Sequence, residues 1–162
     1  MSKKLNSEKE FLDFFSDLTE RCCQTEPDSV IIYHNQRKTV SRLLKQVAEK
    51  FNTGYIEQDL TLLAEERIGT SIFENKVPQW LAPIFTNKEK KNYIIYMREF
   101  ALASDKIKNQ AMNLLITKKI EGVPFPNNTL IVLGVLDVDG ITSALANIQS
   151  VVFYRNIEWR DW

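Results

Sequence analysis

The chain has 162 residues, of which 44% are hydrophobic and 26% are charged. That length suits a single domain spanning 1–162, which can bury roughly two-thirds of its unfolded surface. Because 21 basic residues balance 21 acidic ones, no global field attracts nucleic acid or anionic lipid. No apolar run approaches the ~18 residues of a membrane span, and the start "MSKKLNSEKE" is charged, so we expect a cytoplasmic protein without a membrane anchor.

The first predicted element is a helix. Ser7 and Glu10 have the spacing of a capping box at its start, and Pro27 ends the segment. Its apolar face consists of Phe11, Phe14, Phe15 and Leu18. The run "SVIIY" at 29–33 then predicts a strand that is covered on both faces.

A second helix follows that strand after a short polar turn. Apolar residues recur at helical spacing through 40–51, and Asn52 and Gly54 close the segment. We expect this face to pack against the core. Its members are Val40, Leu43, Leu44, Val47, Ala48 and Phe51.

Strands and one further helix fill the rest of the chain. Residues 104–118 predict a helix that begins at Ser104 or Asp105. With the strand at 29–33, four more runs predict an α/β fold, a three-layer sandwich with a five-stranded parallel sheet. Those runs are "GYIEQDL" at 54–60, "NYIIYM" at 92–97, "TLIVLGVL" at 129–136 and "VVFY" at 151–154.

The turn after the 29–33 strand has the layout of a phosphate-binding loop without its glycines. A working loop, G-x-x-x-x-G-K-[ST], needs glycines so that backbone N–H groups can curl around a phosphate. Here no glycine precedes Gly54, and Arg37 occupies the position of the second glycine. Only Lys38 and Thr39 fit, and a solvated lysine and a helix N-cap explain them equally well.

Over nearly its whole length the chain resembles the core of an AAA+ ATPase of the MoxR-like or dynein-related branch, found in bacteria and their phages. The resemblance depends on six short segments in the same order as in that family, and it implies a P-loop NTPase fold. The segments are an N-terminal helix, the block at 29–51, "AEERIGTSIFENKVPQWLAPIF", "NYIIYMREFALASDKIKNQAMNLLITKKIEG", "VPFPNNTLIVLGV" and "GITSALANIQSVVFY".

The resemblance also implies a vestigial nucleotide site. Arg98 stands where the family has the Walker B aspartate that holds Mg²⁺, and Glu99 stands at the catalytic glutamate. The other site residues are Arg37, Lys38 and Thr39. A cation at the aspartate position disfavours magnesium binding, so we expect no bound metal there.

Two further family positions carry apolar residues. The sensor residue that orients the attacking water falls near Val135 or Leu136, and the arginine finger falls at Ile148. Together with the missing glycines and aspartate, these changes remove every source of transition-state charge stabilisation. We therefore expect no catalytic residue, no cofactor and no enzyme activity.

The end of the chain gives two more expectations. Because it stops soon after the 151–154 strand, we expect no helical lid, which argues against a self-sufficient hexameric ring. The tail holds aromatic and arginine side chains of the kind enriched at protein interfaces, and tryptophans that cap the core would explain them as well. The candidate interface residues are Trp159, Arg160 and Trp162.

Three functional hypotheses follow. The first is a catalytically inactive AAA+-like domain that acts as a protein-interaction or regulatory module of a phage or mobile element. Its partner is an unknown protein, and a genuine AAA+ protein is one candidate. The alternative is a residual nucleotide-binding protein or slow NTPase that uses Lys38, Thr39 and Glu99. The third is nucleic-acid binding through basic residues that a solvated helix face explains better, and we disfavour it. Those residues are Arg37, Lys38, Arg42 and Lys45.

Overall fold

The computed structural model describes residues 2–21, 27–34, 37–63, 79–86, 92–120, 122–136 and 150–154. In chain order the elements are β1 (Ser2–Leu5), α1 (Glu8–Arg21), β2 (Asp28–His34), α2 (Arg37–Lys50), β3 (Gly54–Asp59), α3 (Ala82–Phe85), β4 (Tyr93–Arg98), α4 (Asp105–Thr117), β5 (Lys119–Ile120), β6 (Val123–Pro124), β7 (Thr129–Leu136) and β8 (Ser150–Tyr154). Short 3₁₀ turns lie at Leu60–Leu62, Gln79–Leu81 and Phe100–Leu102. No helix in these ranges is long and apolar enough to cross a membrane.

A parallel sheet with the order β1-β8-β2-β7-β4-β3 forms the centre of the molecule. The run β2-β7-β4-β3 confirms the predicted parallel α/β sheet, and β2 lies between β8 and β7 in the interior of the whole sheet. The predicted count of five strands is wrong, because β1 pairs with β8 and adds a sixth. The sequence "SKKL" gave no apolar run since β1 is an edge strand, in which Leu5 is buried and Lys4 is exposed.

Two apolar clusters cover the two faces of the sheet. In β2, Val30 and Ile32 pack with α1 and α2, whereas Ile31 and Tyr33 pack with α4 and the segment around α3. Successive strand residues point to opposite faces, so a strand with helices on both sides needs a continuous apolar run. The continuous apolar runs in the sequence are therefore explained by strands that have helices on both sides.

The predicted start of α1 is correct, whereas α2 begins earlier than an N-cap at Thr39 would allow. The Glu10 backbone N–H donates to Ser7 Oγ at 3.1 Å, as the capping-box spacing predicts. At α2, the N-cap that would have explained Thr39 as well as a phosphate loop does not occur, because the helix already begins at Arg37 and Thr39 is buried in its first turn. The reason is that β2 continues to His34, so that only two residues remain to connect strand and helix.

Gly134 lies in the middle of β7 beside the largest buried side chain of β4. A Cβ atom at this position would lie 2.6 Å from the hydroxyl oxygen of Tyr96 and 2.7 Å from its Cε1. Tyr96 is fully buried in the cluster beneath α1 and α2. The glycine therefore leaves the space that the tyrosine ring fills.

Candidate functional site at the carboxyl edge of the sheet

The carboxyl ends of β2, β3 and β4 meet at one edge of the sheet, where ligands bind in many open α/β folds. Strand β3 ends at Asp59, directly opposite Arg98 at the end of β4. Helix α2 begins at Arg37 just beyond the end of β2. The parallel arrangement thus gathers charged residues that are far apart in the sequence.

Arg98 forms the centre of a charged cluster. Its Nε lies 3.0 Å from Glu57 Oε2, and its Nη1 lies 3.4 Å from Asp59 Oδ2 and 3.9 Å from Glu99 Oε1. The Nε atom is buried, and its contact with Glu57 is an ion pair without the geometry of a hydrogen bond. Three carboxylates therefore surround one guanidinium group.

Glu99 has a left-handed backbone conformation at the point where the chain leaves β4. Its φ is 66° and its ψ is 34°, values that non-glycine residues adopt only where their surroundings hold them. Its Oε1 lies 2.8 Å from Nε of Arg37, and its side chain is only 10% exposed. The ion pair with Arg37 thus links the start of α2 to the end of β4.

Glu57 accepts two hydroxyl hydrogen bonds on the same oxygen. Tyr55 donates to Oε1 at 2.6 Å, and Ser41 of α2 donates to it as well. Burial by itself raises the pKa of Glu57, but these two hydrogen bonds and the charges of Lys45 and Arg98 outweigh it and leave the pKa below its ordinary value. Glu57 is therefore ionised at neutral pH.

The tyrosines near Glu57 hold their protons. Burial, and then the hydrogen bond to Glu57, raise the pKa of Tyr55 far above its ordinary value. Burial, and then the negative charges of Glu57 and Glu99, do the same for Tyr96. Neither phenol can therefore serve as a general base near neutral pH, and Tyr55 acts as a fixed hydrogen-bond donor.

An open cleft of about 520 Å³ lies between α2 and the ends of β3 and β4. Arg42 on its wall pairs with Glu8 of α1 at 2.9 Å. Lys38 and Lys45 are exposed, and no carboxylate among the described residues lies within ion-pair distance of either. The residues that line this cleft, called here the α2 cleft, are Arg37, Lys38, Ser41, Arg42, Lys45, Glu57 and Arg98.

The structure brings together most of the site residues predicted from sequence. Arg37, Arg98 and Glu99 belong to one ion-pair network, and Lys38 lies beside them in the α2 cleft. Thr39 is buried in α2 and does not line the cleft. Ile148 and the tail residues Trp159, Arg160 and Trp162 lie outside the described residues.

Sequence reasoning missed the acidic half of the site. It read "GYIEQDL" only as a strand, although Tyr55, Glu57 and Asp59 alternate and so share one face of β3. Polar groups at every second position of a strand beside a basic helix were a usable signal. Ser41 carried no comparable signal, because its partner is 16 residues away.

In the parts of the chain that the structure describes, no group of three or more His, Cys, Asp or Glu side chains is arranged to hold a metal ion. The carboxylates of Glu57, Asp59 and Glu99 surround a guanidinium group instead.

No protein-family model matches the sequence, and no curated protein matches it either.

Proposed function

We propose that this chain is a catalytically inactive AAA+-like domain that acts by binding another protein. The observation that carries the proposal is the ion pair between Arg37 and Glu99, at 2.8 Å. By resemblance, Arg37 stands at a glycine of the phosphate loop and Glu99 at the catalytic glutamate. A general base must reach the water whose proton it takes, and this oxygen of Glu99 is already held by the guanidinium group of Arg37.

The connection between β2 and α2 supports the same proposal. A phosphate cradle needs several consecutive backbone N–H groups that are free to point at the ligand. Here Tyr33 and His34, which align with the cradle, belong to β2 and pair with Val135 and Leu136 of β7. The backbone groups of Tyr33 and His34 are therefore engaged in the sheet and not free to point at a phosphate group.

The surroundings of Arg98 disfavour a magnesium ion. Mg²⁺ takes oxygen ligands and is held through carboxylates, whereas this guanidinium already occupies the space between Glu57, Asp59 and Glu99. A divalent cation there would have to displace or closely approach a positive charge. Metal-assisted phosphoryl transfer therefore has no favourable site in this cluster.

The order of the strands supports the AAA+-like fold, and two exposed leucines support the binding of another protein. Strand β7 lies between β2 and β4, and all three strands are parallel and lie in the interior of the sheet, which agrees with the AAA+ resemblance. Leu62 and Leu102 are 77% and 64% exposed, and the 3₁₀ turns that carry them contact each other. Large apolar side chains exposed together are typical of protein-binding surfaces.

Nucleotide titration tests the proposal. We expect calorimetry with ADP and with a non-hydrolysable ATP analogue to give no dissociation constant in the low micromolar range. Each missing backbone donor forfeits a charge-assisted bond of ~1.5–3 kcal/mol, so that two or three together weaken binding by roughly three orders of magnitude. Lys38→Ala is the matched variant, because Lys38 fits the lysine of the phosphate-loop motif and is exposed in the α2 cleft.

A hydrolysis assay completes the test. With Mg²⁺, release of phosphate from ATP or GTP should not exceed the background of a protein-free control. Turnover that Glu99→Gln abolishes, or micromolar ADP binding that Lys38→Ala abolishes, would refute the proposal and favour a residual nucleotide-binding protein or slow NTPase.

A further inference from the structure

Three basic side chains of the α2 cleft form a stripe on one side of α2. Lys38, Arg42 and Lys45 follow one another at intervals of four and three residues, so they lie on one helical face. The two lysines without an ion pair to a described residue are seven residues apart, or about 10 Å along the helix axis. A single phosphate group is too small to bridge that distance, whereas an extended chain with spaced anionic groups fits it.

The local charge balance distinguishes a peptide from a nucleic acid. Five basic side chains line the α2 cleft, and four carboxylates contact them or line it, namely Glu8, Glu57, Asp59 and Glu99. The site therefore carries an excess of only one positive charge, and the chain as a whole has none. A nucleic acid binds to a strongly basic surface that neutralises several phosphates, and its backbone would meet these carboxylates unfavourably.

An apolar surface adjoins the cationic stripe. Leu62 lies three residues after Asp59, and Leu102 lies three residues after Glu99, while both acidic residues contact Arg98 of the cleft. Three residues span at most about 10 Å, so both exposed leucines lie close to the end of the α2 cleft. A ligand that fills both surfaces needs carboxylates and an apolar side chain, which are combined in a polypeptide.

We propose that the α2 cleft and the leucine pair Leu62 and Leu102 bind an extended acidic segment of a partner protein that carries an apolar anchor. The proposal names the kind of partner and so depends on the proposed function. In a polyproline II segment, carboxylates three residues apart lie on one side about 9 Å apart, close to the spacing of Lys38 and Lys45. The arginines of the cleft keep further N–H donors beyond those used in their internal ion pairs.

A synthetic probe peptide tests this surface directly. The probe is a fluorescein-labelled Glu-Pro-Leu-Glu-Pro-Leu-Glu, and its binding to the full chain is followed by fluorescence anisotropy. The double variant Lys38→Glu/Lys45→Glu should weaken binding at least ~10-fold, because each change replaces an attraction with a repulsion. The matched control is Lys106→Glu/Lys119→Glu, which makes the same charge change at exposed lysines of α4 and β5 and should retain wild-type affinity.

A second pair of measurements isolates the apolar contact. Leu62→Ala/Leu102→Ala should weaken binding of this probe but leave unchanged the weaker binding of a leucine-free peptide, Glu-Pro-Ser-Glu-Pro-Ser-Glu. Both leucines are exposed, so these variants should unfold at the wild-type temperature.

Several results would overturn the inference. They are no binding of the probe, equal losses in the two lysine double variants, full competition by inorganic phosphate or ADP, or tighter binding of single-stranded DNA than of the probe at the same salt concentration. Phosphate release from ATP is measured on the same preparations. Turnover that depends on Lys38 would refute the proposed function, whereas failure of the probe alone would refute only this surface and this partner chemistry.

Discussion

The centre of the sheet and its carboxyl edge are built in opposite ways. In the centre, apolar side chains fill both faces, and the size of each one decides whether it fits, as Gly134 and Tyr96 illustrate. At the edge, charged side chains lie in pairs such as Arg42 with Glu8 and Arg37 with Glu99, whose members are distant in the sequence. The centre is specified by local pattern, whereas the edge takes its form only after the strands have assembled.

The two regions also differ in what they contribute to stability. Burial of one large aliphatic side chain is worth about 1.5–3 kcal/mol. An ion pair that is partly open to water is worth about 1 kcal/mol or less, because water and salt screen it. We therefore expect substitutions in the centre to unfold the protein and substitutions at the edge to change what it binds.

The largest expected effect compares two leucines in one 3₁₀ turn. Leu60 is 1% exposed and Leu62 is 77% exposed, although they are two residues apart. Leu60→Ala should lower the free energy of unfolding by about 2–5 kcal/mol, because it leaves a cavity. Leu62→Ala should change it by no more than about 0.5 kcal/mol. Urea unfolding followed by circular dichroism measures both, and equal losses would contradict the burial of Leu60.

A somewhat smaller effect is expected at the close contact in the centre of the sheet. Gly134→Ala should lower the free energy of unfolding by about 1–3 kcal/mol, because the new Cβ would overlap the ring of Tyr96, which is fully buried. In a Tyr96→Leu background the ring is gone, so the same change should cost little. A double-mutant cycle measures this coupling, and additive effects would show that the contact with Tyr96 is not the cause.

These two regions also differ in how well the sequence predicts them. The apolar runs 29–33, 92–97 and 129–136 predicted the strands, because a strand buried on both faces must be apolar throughout. The edge strand β1 was missed, since only Leu5 of its described side chains is buried. Burial on one side of a four-residue segment leaves too little pattern to recognise.

The candidate site was predicted only in part. The family resemblance indicated Arg37, Arg98 and Glu99, which lie in one ion-pair network. It compared each residue with its family position and did not predict that they contact one another. The pair of Arg37 and Glu99 forms because the fold brings α2 to the end of β4. The two residues are far apart in the sequence, so no spacing within one segment predicts the pair. The same holds for Ser41 and Glu57, whose hydrogen bond joins α2 to β3.

The third prediction concerns the centre of the charged cluster. Arg98→Gln leaves Glu57 and Asp59, both largely buried, without their cation, and should lower the free energy of unfolding by about 1–2 kcal/mol. Lys9→Gln is the matched control, because it breaks the exposed ion pair with Asp13 on α1 and should cost at most about 0.5 kcal/mol. Urea unfolding at pH 7 compares them, and equal costs would mean that Arg98 is no more than a solvated surface charge.

The smallest expected effect depends on pH and involves Glu57. The pKa of this carboxyl is lower in the folded chain than its ordinary value, so the stabilisation from its ionised form is complete above the unfolded-state pKa and is lost as the pH falls through the folded-state pKa. Glu57→Gln keeps an oxygen that can accept from Tyr55 but removes the charge that attracts Arg98 and Lys45. At pH 7 the wild type should therefore be more stable than this variant by about 1 kcal/mol or less. The difference should vanish at a pH well below the ordinary carboxyl pKa, where Glu57 is protonated in both states. Urea unfolding at a series of pH values measures this difference, and a gap that stays constant down to low pH would show that the lost contact was packing and not charge.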